Sequence, residues 1–269
     1  HQMWVLGSRS PFSERDFYKW AATYVKVWER MINGFRVNDY SNANQEMVMG
    51  ALKPYMISYT QSEAGFTSKV NEHVLKVKMN DTTYKIADKL KRDLVFEGKE
   101  DVILADTPVK LMQKLHQIYS GTIILESGKR LVFDNSKSYF IKEHFKGKRI
   151  AVFYKFQAEL ESLLSVFQED MTTDFGKFHA NICDNFAIQI VTGREGISLK
   201  EADCLVYFNI DFSATSYWQS RDRLTTMERL ENNVYWIFSE GGIEEKIYQV
   251  VKKKKAYTLS HFKKDLLNL

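Results

Sequence analysis

The chain has 269 residues, 44% hydrophobic and 14% aromatic, enough for a sizeable core arranged as one large or two small units. Its two cysteines, Cys183 and Cys204, exclude a disulfide scaffold and read as buried thiols of a reducing cytosol, and no apolar run approaches the roughly 20 residues of a membrane span. A net charge of +4 permits an anionic partner without requiring one, and three prolines without a low-complexity tract argue against long disordered linkers.

His1 to Gly7 is apolar and opens abruptly, like a piece cut from a longer chain. Ser13 starts a predicted helix in which Phe17, Trp20, Ala21, Tyr24, Val25, Val27 and Trp28 give a wide apolar stripe, read as core, with Asn33-Gly34 as its end. After a polar loop, Gln45 to Thr60 resumes helical periodicity. Residues 1–68 are therefore expected to form a helical segment, and 69–269 the main domain. Val70 to Met79 alternates as a strand, and Asp81 starts a helix to about Phe96 that Gly98 closes. Thr107-Pro108 starts the next helix, Gly121 stops it, and Thr122 to Phe133 reads as a β-hairpin with its turn at Ser127-Gly128.

From Ser136 the pattern alternates. The predicted elements are a helix to Phe145, a strand Arg149–Tyr154, a helix Gln157–Phe167, strands Phe186–Val191 and Cys204–Ile210, and a helix Ser213–Arg229 capped by Ser213. A strand Val234–Phe238 and helices Ile243–Lys255 and Thr258–Leu267 follow. Strands without period-two alternation, separated by helices, predict an α/β fold: a mostly parallel sheet covered on both faces, whose ligands bind beyond the C-terminal strand ends. Tyr154, Thr192 and Asp211 fall at such ends. Gly193-Arg194-Glu195-Gly196 supplies two glycines where the backbone turns tightly, and consecutive N–H groups there make an anion nest. The helix beyond carries Gln219, Arg221, Arg223 and Arg229.

In this stretch Gly193, Gly196, Ser198, Leu199, Ala202 and Asp203 are followed by Asp211, Phe212 and Ser213, and then by Gln219 and Arg223. The set resembles the C-terminal RecA-like lobe of the Swi/Snf-like ATPases of helicase superfamily two, and looks closest to phage and prophage members. Asp222 and Thr226 stand where that family has Gly and a second Arg. The resemblance implies an ATP-dependent DNA helicase or double-stranded DNA translocase. In it Arg223 faces ATP as the catalytic arginine, Gly193, Gly196 and Gln219 face nucleotide, and Tyr154, Lys155, Thr192 and Gly193 touch the DNA backbone. ATP and Mg2+ would be held mainly by an N-terminal motor lobe, the lobe's partner in the parent protein. Ser58 and Tyr59 occupy positions where the family usually places arginines.

Four Gly-Lys pairs, at Gly98, Gly128, Gly147 and Gly176, lack the following Ser or Thr of a phosphate-cradling loop, and the dipeptide Asp-Glu does not occur. The chain alone is therefore expected not to hydrolyse ATP. Asp222 and Glu228 are alternative surface partners for Arg223, Lys252 to Lys255 reads as a solvated helix end with a DNA contact as the alternative, and the histidines lack partners at metal-ligand spacing. The composition suits a cytoplasmic protein. Against the motor stands a catalytically inert DNA-binding or assembly module with the same fold. A dinucleotide enzyme lacks its third glycine.

Overall fold

The computed structural model describes residues 4–14, 16–32, 34–57, 63–65, 68–97, 102–226 and 229–267. Ser58, Tyr59, Gly98 and Glu228 lie outside the described residues. The chain divides into two units, His1–Gly65 and Phe66–Leu269.

In the first unit the expected long helix is two elements. Asp16, not Ser13, is the N-cap, its carboxylate accepting the amides of Tyr18 and Lys19, and the helix Phe17–Tyr24 stops at Val25 in extended conformation. Trp28–Ile32 and Phe35–Asp39 then pair antiparallel, with Gly34 at φ +83° in the turn. The apolar stripe through Tyr24 is helical, whereas β-branched Val25 and Val27 favour extended backbone and a glycine supplies the turn. A second helix, Gln45–Leu52, is capped by the Asn44 side chain.

The second unit carries six parallel strands: β1 (Lys69–Val77), β2 (Ile150–Tyr154), β3 (Met171–Thr172), β4 (Asn185–Gln189), β5 (Cys204–Tyr207) and β6 (Glu231–Ser239), in the order β1-β6-β5-β2-β4-β3. Its helices are α1 (Asp81–Asp93), α2 (Pro108–Ile118), α3 (Ser136–His144), α4 (Gln157–Phe167), α5 (Phe175–His179), α6 (Ile190–Gly193), α7 (Ala214–Arg221), α8 (Glu244–Val251) and α9 (Leu259–Leu267). Burial explains why the strand runs are apolar at every position. Ala151 and Phe153 enter one core cluster with α1, α2, α7 and α8, while Ile150, Val152 and Tyr154 enter a second with α3 and α4. Alternate side chains thus serve opposite faces, both of them covered. The predicted hairpin is present, Thr122–Ile124 pairing with Arg130–Val132. Helix α1 ends at Asp93 with Leu94 left-handed, earlier than expected, and Val95–Glu97 pairs with Val102–Leu104.

One ionic contact ties the layers. Lys137 on α3 and Glu244 on α8 are both fully buried, Nζ 2.8 Å from Oε1 and 3.3 Å from the Phe208 carbonyl at the end of β5. Deleting one partner strands the other charge in a low-dielectric interior. Lys137→Met is expected to lower the unfolding free energy by about 3–5 kcal/mol in a urea titration. Adding Glu244→Gln should restore much of it; a single variant as stable as wild type would refute the role.

Candidate functional site at the C-terminal rim

Strands β2, β4 and β5 are neighbours in parallel register, so their C-terminal ends and the turns that follow lie together. Such a rim leaves backbone amides unpaired, and they need acceptors. Glu159, at the third position of α4, supplies one: its Oε2 accepts the amides of Lys155 at 2.7 Å and Phe156 at 3.0 Å. Its Oε1 accepts Asn209 Nδ2 at 2.6 Å, and Asn209 Oδ1 takes the Ile210 amide at 2.8 Å and His116 Nε2 at 2.5 Å. An acceptor oxygen there fixes a proton on Nε2. Burial pushes the His116 pKa well below the usual range, and Lys155 acts in the same direction. Burial also raises the Glu159 carboxyl, against the hydrogen bonds it accepts. His116 Nδ1 has no partner among the described residues, and its ring lies 4.7 Å from Phe212 and 5.4 Å from Phe156.

Above this scaffold Lys155 Nζ bonds Asp211 and sits 4.5 Å from the centre of the Phe212 ring. Burial raises the Asp211 carboxyl, but the Lys155 charge and hydrogen bonds from Ser216 and the Phe212 amide outweigh it, so the acid titrates below its ordinary value. Tyr154 contributes packing: its ring is 6% exposed within the second core cluster.

Strand β4 does not run to Val191 as its apolar sequence suggests. It ends at Gln189, whose Nε2 donates to the Lys155 carbonyl at 3.0 Å, and the chain enters the single turn α6. Thr192 is exposed on that turn. The two glycines have different reasons. Gly193 is buried, and an added Cβ would collide with the Phe153 ring and meet Ile188 Cγ2 at 3.0 Å. Gly196 has φ +73° with open space around it, so conformation and not packing selects glycine there.

Ser213 caps α7 as expected, Oγ accepting the Ser216 amide at 3.3 Å. Gln219 is exposed on this helix. The arginines separate. Arg221 is bound by Glu72 at 3.3 Å and Asp222 at 2.9 Å and lies over Trp218 at 4.2 Å. Arg229 donates to the carbonyls of Ala202 at 2.7 Å and Asp203 at 2.5 Å, at the opposite, N-terminal end of β5. Arg223 Nη2 donates to the Arg194 carbonyl of the glycine loop, and its Nε is buried without a partner among the described residues. The Arg223 carbonyl accepts the Leu199 amide at 3.1 Å, while Arg194 donates to Ser216 Oγ at 2.8 Å. Arg223, Arg194 and the loop 193–199 therefore form one connected group. Lys155, Gln189 and Asp211 form the neighbouring one.

Sequence reading missed Glu72, His116, Asn209, Glu159 and Gln189. Glu72 on β1 is the acceptor for Tyr217 at 2.6 Å, Tyr248 at 2.9 Å and Trp236 at 3.1 Å as well as Arg221, and its partners are more than 140 residues away. Glu159 had a local signal, a Glu at the third position of a helix that follows a strand.

Gly193→Ala is expected to lower stability by about 1–3 kcal/mol through overpacking, and Phe153→Leu should relieve it. Gly196→Ala should lose about 1–2 kcal/mol through the left-handed backbone, with no relief from Phe153→Leu. Urea titration of the four variants checks both.

The buried imidazole gives a pH dependence. Above the ordinary value of 6.5 it is neutral folded and unfolded; below it only the unfolded chain takes the proton. Stability then falls by up to about 1.4 kcal/mol per pH unit on acidification. Glu159, raised, works oppositely, so the test compares wild type with His116→Gln. The variant's stability deficit should shrink between about pH 7 and about pH 5; a constant deficit would mean that the imidazole takes its proton as readily in the folded chain as in the unfolded one.

No protein-family profile matches the chain. Over 189 residues, 62% of this chain, it is 26% identical to a Drosophila melanogaster protein, the "SWI/SNF-related matrix-associated actin-dependent regulator of chromatin subfamily A containing DEAD/H box 1 homolog", and it spans 22% of that relative. Among solved structures, the C-terminal part of the Fun30 ATPase domain superposes with a TM-score of 0.53 at 15% identity, covering 72% of this chain and 92% of the other. The Sulfolobus solfataricus SWI2/SNF2 ATPase core in complex with dsDNA gives 0.47 at 15% identity, covering 77% and 50%. The chain is thus similar in sequence to part of a SWI/SNF-related protein, and its parallel sheet has the RecA-like fold of the C-terminal part of the Fun30 ATPase domain.

Proposed function

We propose that the chain is the C-terminal motor lobe of an ATP-dependent DNA helicase or double-stranded DNA translocase of Swi/Snf-like type. The motif set of the 193–223 stretch is read as closest to phage and prophage helicases acting in the cytoplasm. The observation that carries the reading is the 26% identity over 189 residues, on a chain whose glycine loop and Arg223 form one bonded group beside the rim.

Arg223 is the arginine offered to ATP. Among the described residues its Nε has no partner and its guanidinium meets one carbonyl, which leaves donors for an added oxyanion. Such an arginine, supplied from a second lobe, stabilises charge spread over a γ-phosphate by as much as ~10³–10⁵ in rate. Arg221 and Arg229 are committed to Glu72 and to the β5 entry, so neither replaces the arginine missing at Thr226. Exposed Thr192 with Gly193, Gly196 and Lys155 forms the phosphate-facing loop, and exposed Gln219 lies toward nucleotide. Backbone contacts of this kind carry no sequence information, which suits a motor that steps along any duplex.

Among the described residues no cluster makes a magnesium site. The rim carboxylates Asp211, Glu159 and Glu195 are engaged by Lys155, by Asn209 with two amides, and by Arg194. Magnesium and the attacking water belong to the N-terminal lobe in this reading, and the isolated chain is expected to be inactive. A second reading, an inert DNA-binding or assembly module, is favoured by Asp222 and Thr226 at motif positions.

DNA-stimulated ATP hydrolysis by the full-length parent tests this. Arg223→Ala should lower the rate of the folded protein by about 10³-fold or more, whereas Arg229→Ala should lower the melting temperature and leave the rate of the folded protein near wild type. A parent that hydrolyses no ATP with any DNA would overturn the motor reading in favour of the inert module.

A further inference from the structure

Six lysines and no Asp or Glu fall between Lys252 and Lys264. A helix end accounts for part of this, since cations in the last turn complement the helix dipole, but that effect fades within the turn. Helix α8 ends at Val251, so Lys254 and Lys255 lie beyond it. Several lysines elsewhere are paired: Lys76, Lys110, Lys114, Lys142 and Lys155 each meet a carboxylate. Lys252 to Lys255 are all exposed, and among the described residues none of the four has a carboxylate within salt-bridge distance.

The path of the segment adds the second observation. Trp218 Nε1 donates to the Val251 carbonyl at 3.2 Å, and the ring carries Arg221 at 4.2 Å and Lys254 at 5.2 Å. Lys254 is held left-handed at φ +58°, an unusual conformation for a residue with a side chain. The chain then returns along α7 to the rim, where the Tyr257 amide donates to the Phe212 carbonyl at 2.8 Å and the rings stack at 5.9 Å. Phe212 is the ring beneath Lys155. The lysines thus line a strip that runs from Trp218 to the phosphate-facing rim.

We infer that Lys252–Lys255, with Trp218, forms a second phosphate-backbone contact on duplex DNA, continuous with the Lys155 rim. The inference rests on the reading of the chain as a duplex-DNA motor lobe. Each lysine that neutralises a phosphate releases a counterion, so the strip shows in the salt dependence of binding more than in sequence preference.

The experiment is fluorescence anisotropy of a labelled duplex with the chain across a potassium chloride series. Three proteins are compared: wild type, Lys253→Gln/Lys254→Gln/Lys255→Gln, and a charge-matched control, Lys129→Gln/Lys146→Gln/Lys177→Gln, at exposed positions elsewhere. The strip variant should lower the slope of log affinity against log salt by about two to three, with its melting temperature unchanged, while the control keeps the wild-type slope. Equal loss in the control would make this a net-charge effect and overturn the strip. An unchanged slope in the strip variant would overturn it too, leaving the motor reading intact. Wild-type chain that binds no duplex at low salt would remove DNA contact from both.

Discussion

The Glu159 carboxylate is the acceptor at which three segments of the rim meet. Lys155 and Phe156 give it backbone amides and Asn209 gives it a side-chain amide, so the turn after β2, the first turn of α4 and the turn after β5 are fixed to one buried group. Through Asn209 the same group reaches His116 on α2 and the Ile210 amide. Removing a buried, multiply bonded carboxylate leaves several donors unsatisfied at once, and each orphan costs about 1–3 kcal/mol. The half-buried Lys155–Asp211 pair sits on top of this group. Its geometry is inherited from the buried layer beneath.

Much of the architecture was legible because a parallel sheet covered on both faces leaves an unambiguous trace. Ile150–Tyr154 and Cys204–Tyr207 are apolar without alternation, and the structure sends their alternate side chains into two separate clusters. Ser213, Thr107-Pro108 and the Ser127-Gly128 turn are local signals, and each marks the boundary it announces. Two of the misses share a cause. Val191 continues an apolar run and Trp28 continues an apolar helical stripe, whereas the local backbone is set by what the next residues need. The turn α6 brings Gly193 against Phe153, and the strand at Trp28 pairs across Gly34.

The site was legible only where its chemistry is contiguous in sequence. The glycine loop and the arginines could be picked out by spacing, but their standing could not, and only Arg221 is on α7, which ends there instead of at Arg229. Arg221, Arg223 and Arg229 look alike in the sequence, and only their acceptors separate them. Glu72 claims one, the loop carbonyl of Arg194 another, and the carbonyls at the β5 entry the third. Glu72 collects Tyr217, Tyr248, Trp236 and Arg221 from three later elements, a convergence with no local sequence trace.

That partition also explains how one helix serves two purposes. The Tyr217 and Arg221 side chains are fixed to Glu72, and Trp218 is fixed to the end of α8, so α7 is held on two sides by contacts that involve no rim residue. Its Gln219 remains exposed, and the 3-10 turn that follows presents Arg223 to the glycine loop. A helix anchored in this way can change what Arg223 touches without repacking its own buried face. The Arg194 carbonyl is a neutral acceptor, and exchanging it for an oxyanion gives the guanidinium a stronger, charge-assisted hydrogen bond. The loop and the arginine are coupled at both ends, through that bond and through the Leu199 amide on the Arg223 carbonyl, so an anion engaging the guanidinium would free the Arg194 carbonyl while the Leu199 contact holds the far end of the loop.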